Sequence, residues 1–314
     1  MKLYTPDYYH KFKCIAGKCR HSCCIGWEID IDSHSLERYR NVPGEFGKQL
    51  RSNIAQTDEA YHFRLCQDER CPFLNGDNLC EIIINMGNDA LCQICSDHPR
   101  FRNYFSDRTE TGIGLCCEAA AELVITNKEK AAMQLVEAEK FNKPSEEDEY
   151  FFGLRQKYLN ILQNRELSLG ERFKTLLCVA DAKAEHDCVN EWVDVYLSLE
   201  HLDSEWVKML NNLKASNEIQ LTLLPEWELE LEQLSVYFIM RHLADGRFDM
   251  SIPERVAFAV HATQFISTLA SVCNPQRSVE ALVNTARMYS SEIEYSDENL
   301  DTILNICAEY NFEN

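Results

Sequence analysis

A chain of 314 residues with a formal charge of −20 and 15 cysteines is long enough for one or two domains with full-sized cores. The acidic balance and the lack of a long basic run exclude a phosphate-binding surface for DNA or RNA. No apolar run reaches the roughly 18 residues of a membrane span, and residues 1–7 lack the apolar stretch of a secretory signal. The expectation is a cytoplasmic protein with neither a membrane nor a nucleic-acid partner. In that compartment crowded cysteines read first as metal ligands and then as redox thiols, not as a disulfide framework.

The cysteines also divide the chain. Eleven of the 15 lie between Cys14 and Cys117, and the remaining 197 residues hold four. Net charge is −2 up to Cys117 and −18 beyond it. This predicts a mainly α protein in two regions: a loop-rich, cysteine-cluster metal domain over 1–125 and an acidic all-helical domain over 126–314.

In the first region Gly and Pro are frequent, so short helices at most are expected. Ile29-Asp30-Ile31-Asp32 alternates but is short for a strand. Ser33 to Tyr39 opens a short helix, ended by Val42-Pro43-Gly44. Asn75-Gly76-Asp77-Asn78 is a turn. With few long apolar faces, bound metal is the expected source of cohesion. From Glu118 the pattern is helical. Glu118 to Lys140 is rich in Ala, Leu, Glu and Lys. Asn142-Lys143-Pro144-Ser145 breaks it and caps a helix from Glu146 to about Arg165. Ser168-Leu169-Gly170-Glu171 is a capping box before the face Phe173, Leu176, Leu177 and Ala180. Ser251-Ile252-Pro253-Glu254 is a second one. Asn274-Pro275 starts another helix. Ser296 starts the last, striped by Leu300, Ile303, Leu304 and Cys307. About nine helices and no strand are expected after residue 117. Cys178, Cys188, Cys273 and Cys307 read as buried small apolar residues.

The other eleven cysteines form four groups: Cys14, Cys19, Cys23 and Cys24; Cys66, Cys71 and Cys80; Cys92 and Cys95; Cys116 and Cys117. Short spacings let one loop supply two ligands at once. The spacings match neither a C-x3-C-x2-C loop, nor a ferredoxin run, nor a haem C-x-x-C-H, and Cys92/Cys95 is a single C-x2-C knuckle. An iron–sulfur centre, structural zinc and thiol redox chemistry all stay open. The vicinal pairs Cys23-Cys24 and Cys116-Cys117 favour iron–sulfur, since adjacent residues point apart and reach different metal atoms.

Several of these motifs resemble the flagellin lysine-N-methylase (FliB-like) family, within a broader group of zinc- or iron-chelating cysteine-cluster proteins. They are Phe12-Lys13-Cys14 with Cys19 and Cys23 to Asp32; Cys71-Pro72-Phe73-Leu74-Asn75 with Leu79-Cys80; Leu91-Cys92 to Arg100; and Gly114 to Ala120. Cys117 stands where the family commonly has proline. The likeness covers residues 3–125 best. Beyond that, Tyr237-Phe238-x2-Arg241-His242 is similar to a helix of longer members.

The resemblance implies methyl transfer from S-adenosylmethionine to lysines of a protein such as flagellin, with an iron–sulfur cluster of the 4Fe–4S type and zinc as the alternative. A non-enzymatic metal-binding or maturation factor and a cluster-based redox enzyme are the other readings. A lysine must lose its proton before attacking a methyl sulfonium, and Glu118 is the candidate acceptor; its other reading is a first-turn helix residue favoured by the macrodipole. Trp27 is a candidate to stack on a cofactor or shield the cluster, and Arg100 to hold a carboxylate. Tyr237 and Arg241, at i, i+4 with His242 alongside, are candidates to line a pocket. A core anchor, a surface ion pair and helix packing are their plainer alternatives. His98 is a candidate nitrogen ligand.

Overall fold

The computed structural model describes residues 1–57, 60–138, 143–183, 188–216, 220–249 and 251–312. The chain is mostly helical. It divides into two compact units, one of Lys13–Arg100 and one of Met1–Phe12 with Phe101–Asn314. Six strands occur among the described residues: β1 Lys2–Pro6, β2 Ile54–Gln56, β3 Tyr61–Phe63, β4 Arg100–Tyr104, β5 Arg108–Ile113 and β6 Met133–Ala138.

The unit of Lys13–Arg100 is built from short elements. Asp32 caps helix Ser33–Arg40, accepting from the Ser35 amide; its apolar neighbours Ile29 and Ile31 are both buried. Ile29 and Ile31 make no named strand. They bond instead to β3, the Phe63 amide to the Ile29 carbonyl at 3.1 Å and the Ile31 amide to the Tyr61 carbonyl at 2.7 Å. β2 and β3 form an antiparallel hairpin. Helices Gly44–Ser52, Glu81–Met86 and Gln93–Asp97 complete the unit. Its core centres on Tyr39, Phe63 and Phe73, whose rings lie 5.9 and 4.9 Å apart in sequence. Cys71 and Cys92 are buried in the same cluster.

The larger unit holds a four-stranded sheet in the order β4-β5-β1-β6. β1 runs parallel to β5 and antiparallel to β6. These strands correct the expectation of short helices at most before residue 117, and β6 corrects that of a helix from Glu118 to Lys140. The helix stops at Ile125 and residues Met133–Ala138 pair with β1. Pairing with a distant strand overrides the helix propensity of Ala, Leu and Glu here. Lys140 and Asn142, the end of the expected helix and the start of its expected breaker, lie outside the described residues.

Helices follow from Glu146–Leu162 to Asp297–Phe312. Ser145 caps the first of these, accepting from the Asp148 amide. Ser168 and Glu171 form the expected capping box of Leu169–Ala180. Ser251 caps nothing; its hydroxyl takes a hydrogen bond from Arg255 Nε instead. Asn274-Pro275 starts no helix: the next runs Val279–Tyr289, capped by Ser278. The axis of this unit is Ile252–Cys273, a 22-residue helix buried on nearly all sides. By length and composition alone it could cross a membrane, contrary to expectation, but 78% of its apolar window is buried inside the protein. Of the four late cysteines only Cys307 is buried; Cys178 and Cys188 are exposed and Cys273 is half-buried. The expectation fails because Cys178 sits on the outward side of its helix and Cys188 at a helix start.

Candidate functional site

Within Lys13–Arg100 the chain brings cysteines from separate loops into one neighbourhood. Cys24 is tied to Cys71 through the backbone, the Cys71 amide donating to the Cys24 carbonyl at 2.8 Å. Ile25 bridges Arg70 beside them. From Cys71 the chain turns through Pro72-Phe73-Leu74, and the Asn75 side chain accepts from the Asp77 and Leu79 amides, both at 3.0 Å. That turn, legible in the sequence, lets Leu74 bridge Cys80, which leads into helix Glu81–Met86. Cys92 precedes helix Gln93–Asp97, whose first amide donates to Asp32 Oδ2 at 2.9 Å. One helical turn then places Cys95 Sγ 3.4 Å from Cys92 Sγ.

The thiols perturb one another. The hydrogen bond from Cys23, working against burial, lowers Cys24 to about 7. Burial pushes Cys71 up to about 12, with Cys24, Cys80 and Cys92 adding to the rise. Burial also raises Cys80, again with Cys24 and Cys92 nearby. The bond between Cys92 and Cys95 lowers the first and raises the second, and Cys95 also feels Cys24 and Cys71. Cys24, Cys71, Cys80, Cys92 and Cys95 are therefore one electrostatic group, half-buried to buried. Thiols crowded in a dry site resist ionising together, and a bound cation removes that conflict by replacing their protons.

The remaining candidates of this unit lie around that group or apart from it. Cys14 and Cys66 are exposed. The Ala16 amide donates to Cys14 Sγ at 3.4 Å, and Cys19 Sγ donates to the His21 carbonyl at 3.3 Å. Their loop lies close on the turn before Cys80, where a Cβ on Gly17 would come within 2.7 Å of the Asp77 carbonyl oxygen. The Trp27 indole donates to the Cys23 carbonyl at 2.7 Å, and its ring lies 6.2 Å from His98. Burial, helped by Arg100, lowers His98 to about 4, so its imidazole is neutral at neutral pH. Arg100 donates to the carbonyls of Ser96 at 3.0 Å and His98 at 3.4 Å.

Cys116, Cys117, Glu118, Tyr237 and Arg241 belong to the other unit. Glu118 is half-buried at the first turn of helix Glu118–Ile125, just after Cys117. Tyr237, Arg241 and His242 lie on helix Glu228–His242 and converge on Glu294. The Tyr237 hydroxyl is 3.0 Å from both Glu294 carboxylate oxygens and takes a 2.7 Å bond from Arg241 Nη1. Arg241 Nε is 3.3 Å and His242 Nε2 2.6 Å from Glu294 Oε1. Arg241 also packs against the rings of Phe101 and Tyr295. Burial works against the Glu294 charge, yet Arg241 and His242 hold the carboxyl below its usual range. Burial pushes Cys116 up to about 12, opposed by Tyr295 and Arg241. Sequence reasoning missed Glu294. It lies on a π-helical segment, Ser290–Glu294, and such segments are frequent at functional sites, but no spacing in the sequence announces one.

Among the described residues no three Cys, His, Asp or Glu side chains stand as ready ligands of one ion. The donors nonetheless suit a thiolate-bound group by number, type and burial. The chain is of the mostly helical class, with several cysteines gathered in its Lys13–Arg100 unit. Comparison with known proteins gives it relatives. A stretch of 136 residues, 41% of the chain, is 24% identical to the lysine-N-methylase of Salmonella typhimurium, covering 33% of that protein. The lysine-N-methylase of Salmonella choleraesuis matches with the same identity and coverage. The flagellar biosynthetic protein FliU of Salmonella muenchen is 25% identical over 154 residues, 46% of the chain and 89% of FliU. The resemblance to flagellin lysine-N-methylases stands at the family level. The chain matches about a third of the length of the lysine-N-methylases. No family model and no solved structure matches it.

Proposed function

We propose that the protein is an S-adenosylmethionine-dependent protein-lysine N-methyltransferase, with flagellin as its substrate type. The observation that carries this reading is the convergence of Cys24, Cys71, Cys80, Cys92 and Cys95 in a relative of lysine-N-methylases. These five thiols, with Cys23 at their edge, would hold an iron–sulfur cluster, with structural zinc as the alternative. Such a group would supply cross-linking of the loops, its binding free energy adding to the folding of the unit. S-adenosylmethionine supplies the methyl group. The substrate lysine loses its proton, its nitrogen attacks the sulfonium methyl carbon, and the products are N-methyllysine and S-adenosylhomocysteine. We assign the proton to Glu118, the carboxylate beside the last cysteines.

The test has two parts. Protein purified without oxygen is expected to be brown, to absorb broadly near about 400 nm and to carry iron; a colourless, zinc-loaded sample removes the iron–sulfur centre. Labelled S-adenosylmethionine is then expected to label flagellin on lysine. Failure to label flagellin or any protein of a lysate, with the metal group intact, favours the non-enzymatic metal-binding reading. That second reading draws its support from the short span shared with the lysine-N-methylases.

A further inference from the structure

β6 is an edge strand of the four-stranded sheet, with β1 on its one paired side among the described residues. Edge strands present a row of backbone donors and acceptors that natural proteins cover or blunt. Here the strand is solvent-exposed on both faces as well: Gln134, Leu135, Val136 and Glu137 are all exposed, and Leu135 and Val136 show 47% and 60% of their surface. Two adjacent aliphatic residues left open on an edge need an explanation, because side chains of this size gain from burial.

The register supplies part of it. Leu3 pairs with Glu137 and Tyr4 with Leu135, so Val136 is the extra residue of a bulge. A bulge interrupts pairing and limits sheet growth. The edge is therefore suited to a short guest and poorly suited to a long one.

Charge specifies the guest. The end of β6 is fixed near the β4–β5 turn: Ala138 pairs with Lys2, and Lys2 Nζ binds Asp107 at 2.7 Å. The same turn holds the start of helix Glu146–Leu162. The Ser145 amide donates to Ser106 Oγ at 2.8 Å, and the Ser106 amide to Asp148 Oδ2 at 2.7 Å. Glu137, Glu146, Glu147 and Glu149 are exposed at this end, against the exposed Lys143, whereas the exposed Lys128 and Lys130 precede the opposite, Met133 end.

We infer that β6 is a docking edge for a short, extended, lysine-bearing segment of the substrate protein, which adds a strand beside Met133–Leu135 and carries its lysines past the bulge to the exposed glutamates at the Ala138 end. The choice of a lysine-bearing guest rests on the methyltransferase reading. Backbone pairing gives the affinity of such docking, and alternate side chains give its selectivity.

The probe is a fluorescein-labelled peptide of nine residues alternating valine and lysine, with a valine–glutamate peptide as its control. Fluorescence anisotropy should show binding of the first and none of the second. Leu135→Asp and Val136→Asp should each weaken it about tenfold, the scale of one lost aliphatic contact, and Glu137→Lys about threefold. Hydrogen exchange on the wild-type chain should show protection of Met133–Leu135 amides on peptide addition, a readout that needs no variant to fold. Equal binding of both peptides, unchanged affinity in the variants, or no new protection overturns the inference. So does sedimentation showing that the edge closes on a second copy of this chain and that Val136→Asp dissolves that dimer. Peptide binding without methyl transfer to any protein sinks the methyltransferase reading alone; methyl transfer with unaltered KM in the β6 variants sinks the docking edge alone.

Discussion

At the scale of single residues, the cysteines separate by environment. Cys71 and Cys92 are buried beside the aromatic core of Lys13–Arg100, whereas Cys178 is exposed on a helix of the other unit. A thiol inside the electrostatic group cannot be replaced by a hydroxyl without losing a soft ligand. If this group holds the proposed metal, Cys71→Ser is expected to lose most of it, measured as metal per chain, while Cys178→Ser keeps it. Equal metal in both variants would remove Cys71 from the ligand set. Glu118 is tested separately. If it accepts the lysine proton, Glu118→Gln keeps the metal and slows methyl transfer by about 10²–10⁴-fold; unchanged turnover removes the assignment. Residue by residue, the turn that leads to Cys80 was legible, because Asn75 organises it locally by accepting from two amides. Glu294 was not legible. Its significance comes from Tyr237, Arg241 and His242, more than fifty residues earlier, and no local pattern encodes that distance.

At the scale of elements, local signals succeeded where the chain closes its own hydrogen bonds. The capping box at Ser168 is local, and both of its bonds form. Ser168→Ala is expected to cost about 1 kcal/mol, readable as a small drop in the denaturation midpoint. Local signals failed where a distant partner decides, as in β6, whose helix-forming residues pair with β1. The π-helical segment Ser290–Glu294 belongs to the second kind, since it delivers Glu294 to helix Glu228–His242. Its pH behaviour follows from the sign of the Glu294 shift. Burial opposes the charge, but Arg241 and His242 hold the folded-state carboxyl below its ordinary 4.5. The ionised form is thus favoured in the folded state. The stability it gives is present above that ordinary value and is lost as pH falls through the folded one. Thermal melts should show a falling midpoint below about pH 4.5. Glu294→Gln should flatten this acid limb and, at neutral pH, cost about 3–5 kcal/mol by leaving Arg241 without its counter-charge. An unchanged acid limb in the variant would mean that other carboxylates set it.

At the scale of the whole molecule, two units with cores of different size coexist in one chain. Cysteine density marks one of them in the sequence, but the membership of Met1–Phe12 in the larger unit is not legible, because β1 joins β5 and β6 across more than a hundred residues. The larger unit is organised around a long helix buried on nearly all sides, which needs no metal to explain its order. The unit of Lys13–Arg100 is different. Its core cluster has twelve buried side chains among the described residues, two of them cysteines, in a span of 88 residues with short helices and loops. So small a core leaves little margin against the conformational entropy of the loops. If a metal group joins Cys24, Cys71, Cys80, Cys92 and Cys95, its binding free energy is largely folding free energy of this unit. Stripping the metal with a chelator should then speed hydrogen exchange of amides in Ile29–Phe63 while leaving those of Ile252–Cys273 protected. Restoring iron, or zinc if zinc is the native metal, should slow it again. Exchange that is unchanged throughout Lys13–Arg100 after complete metal removal would show that the aromatic core alone holds this unit, and would confine the metal to chemistry.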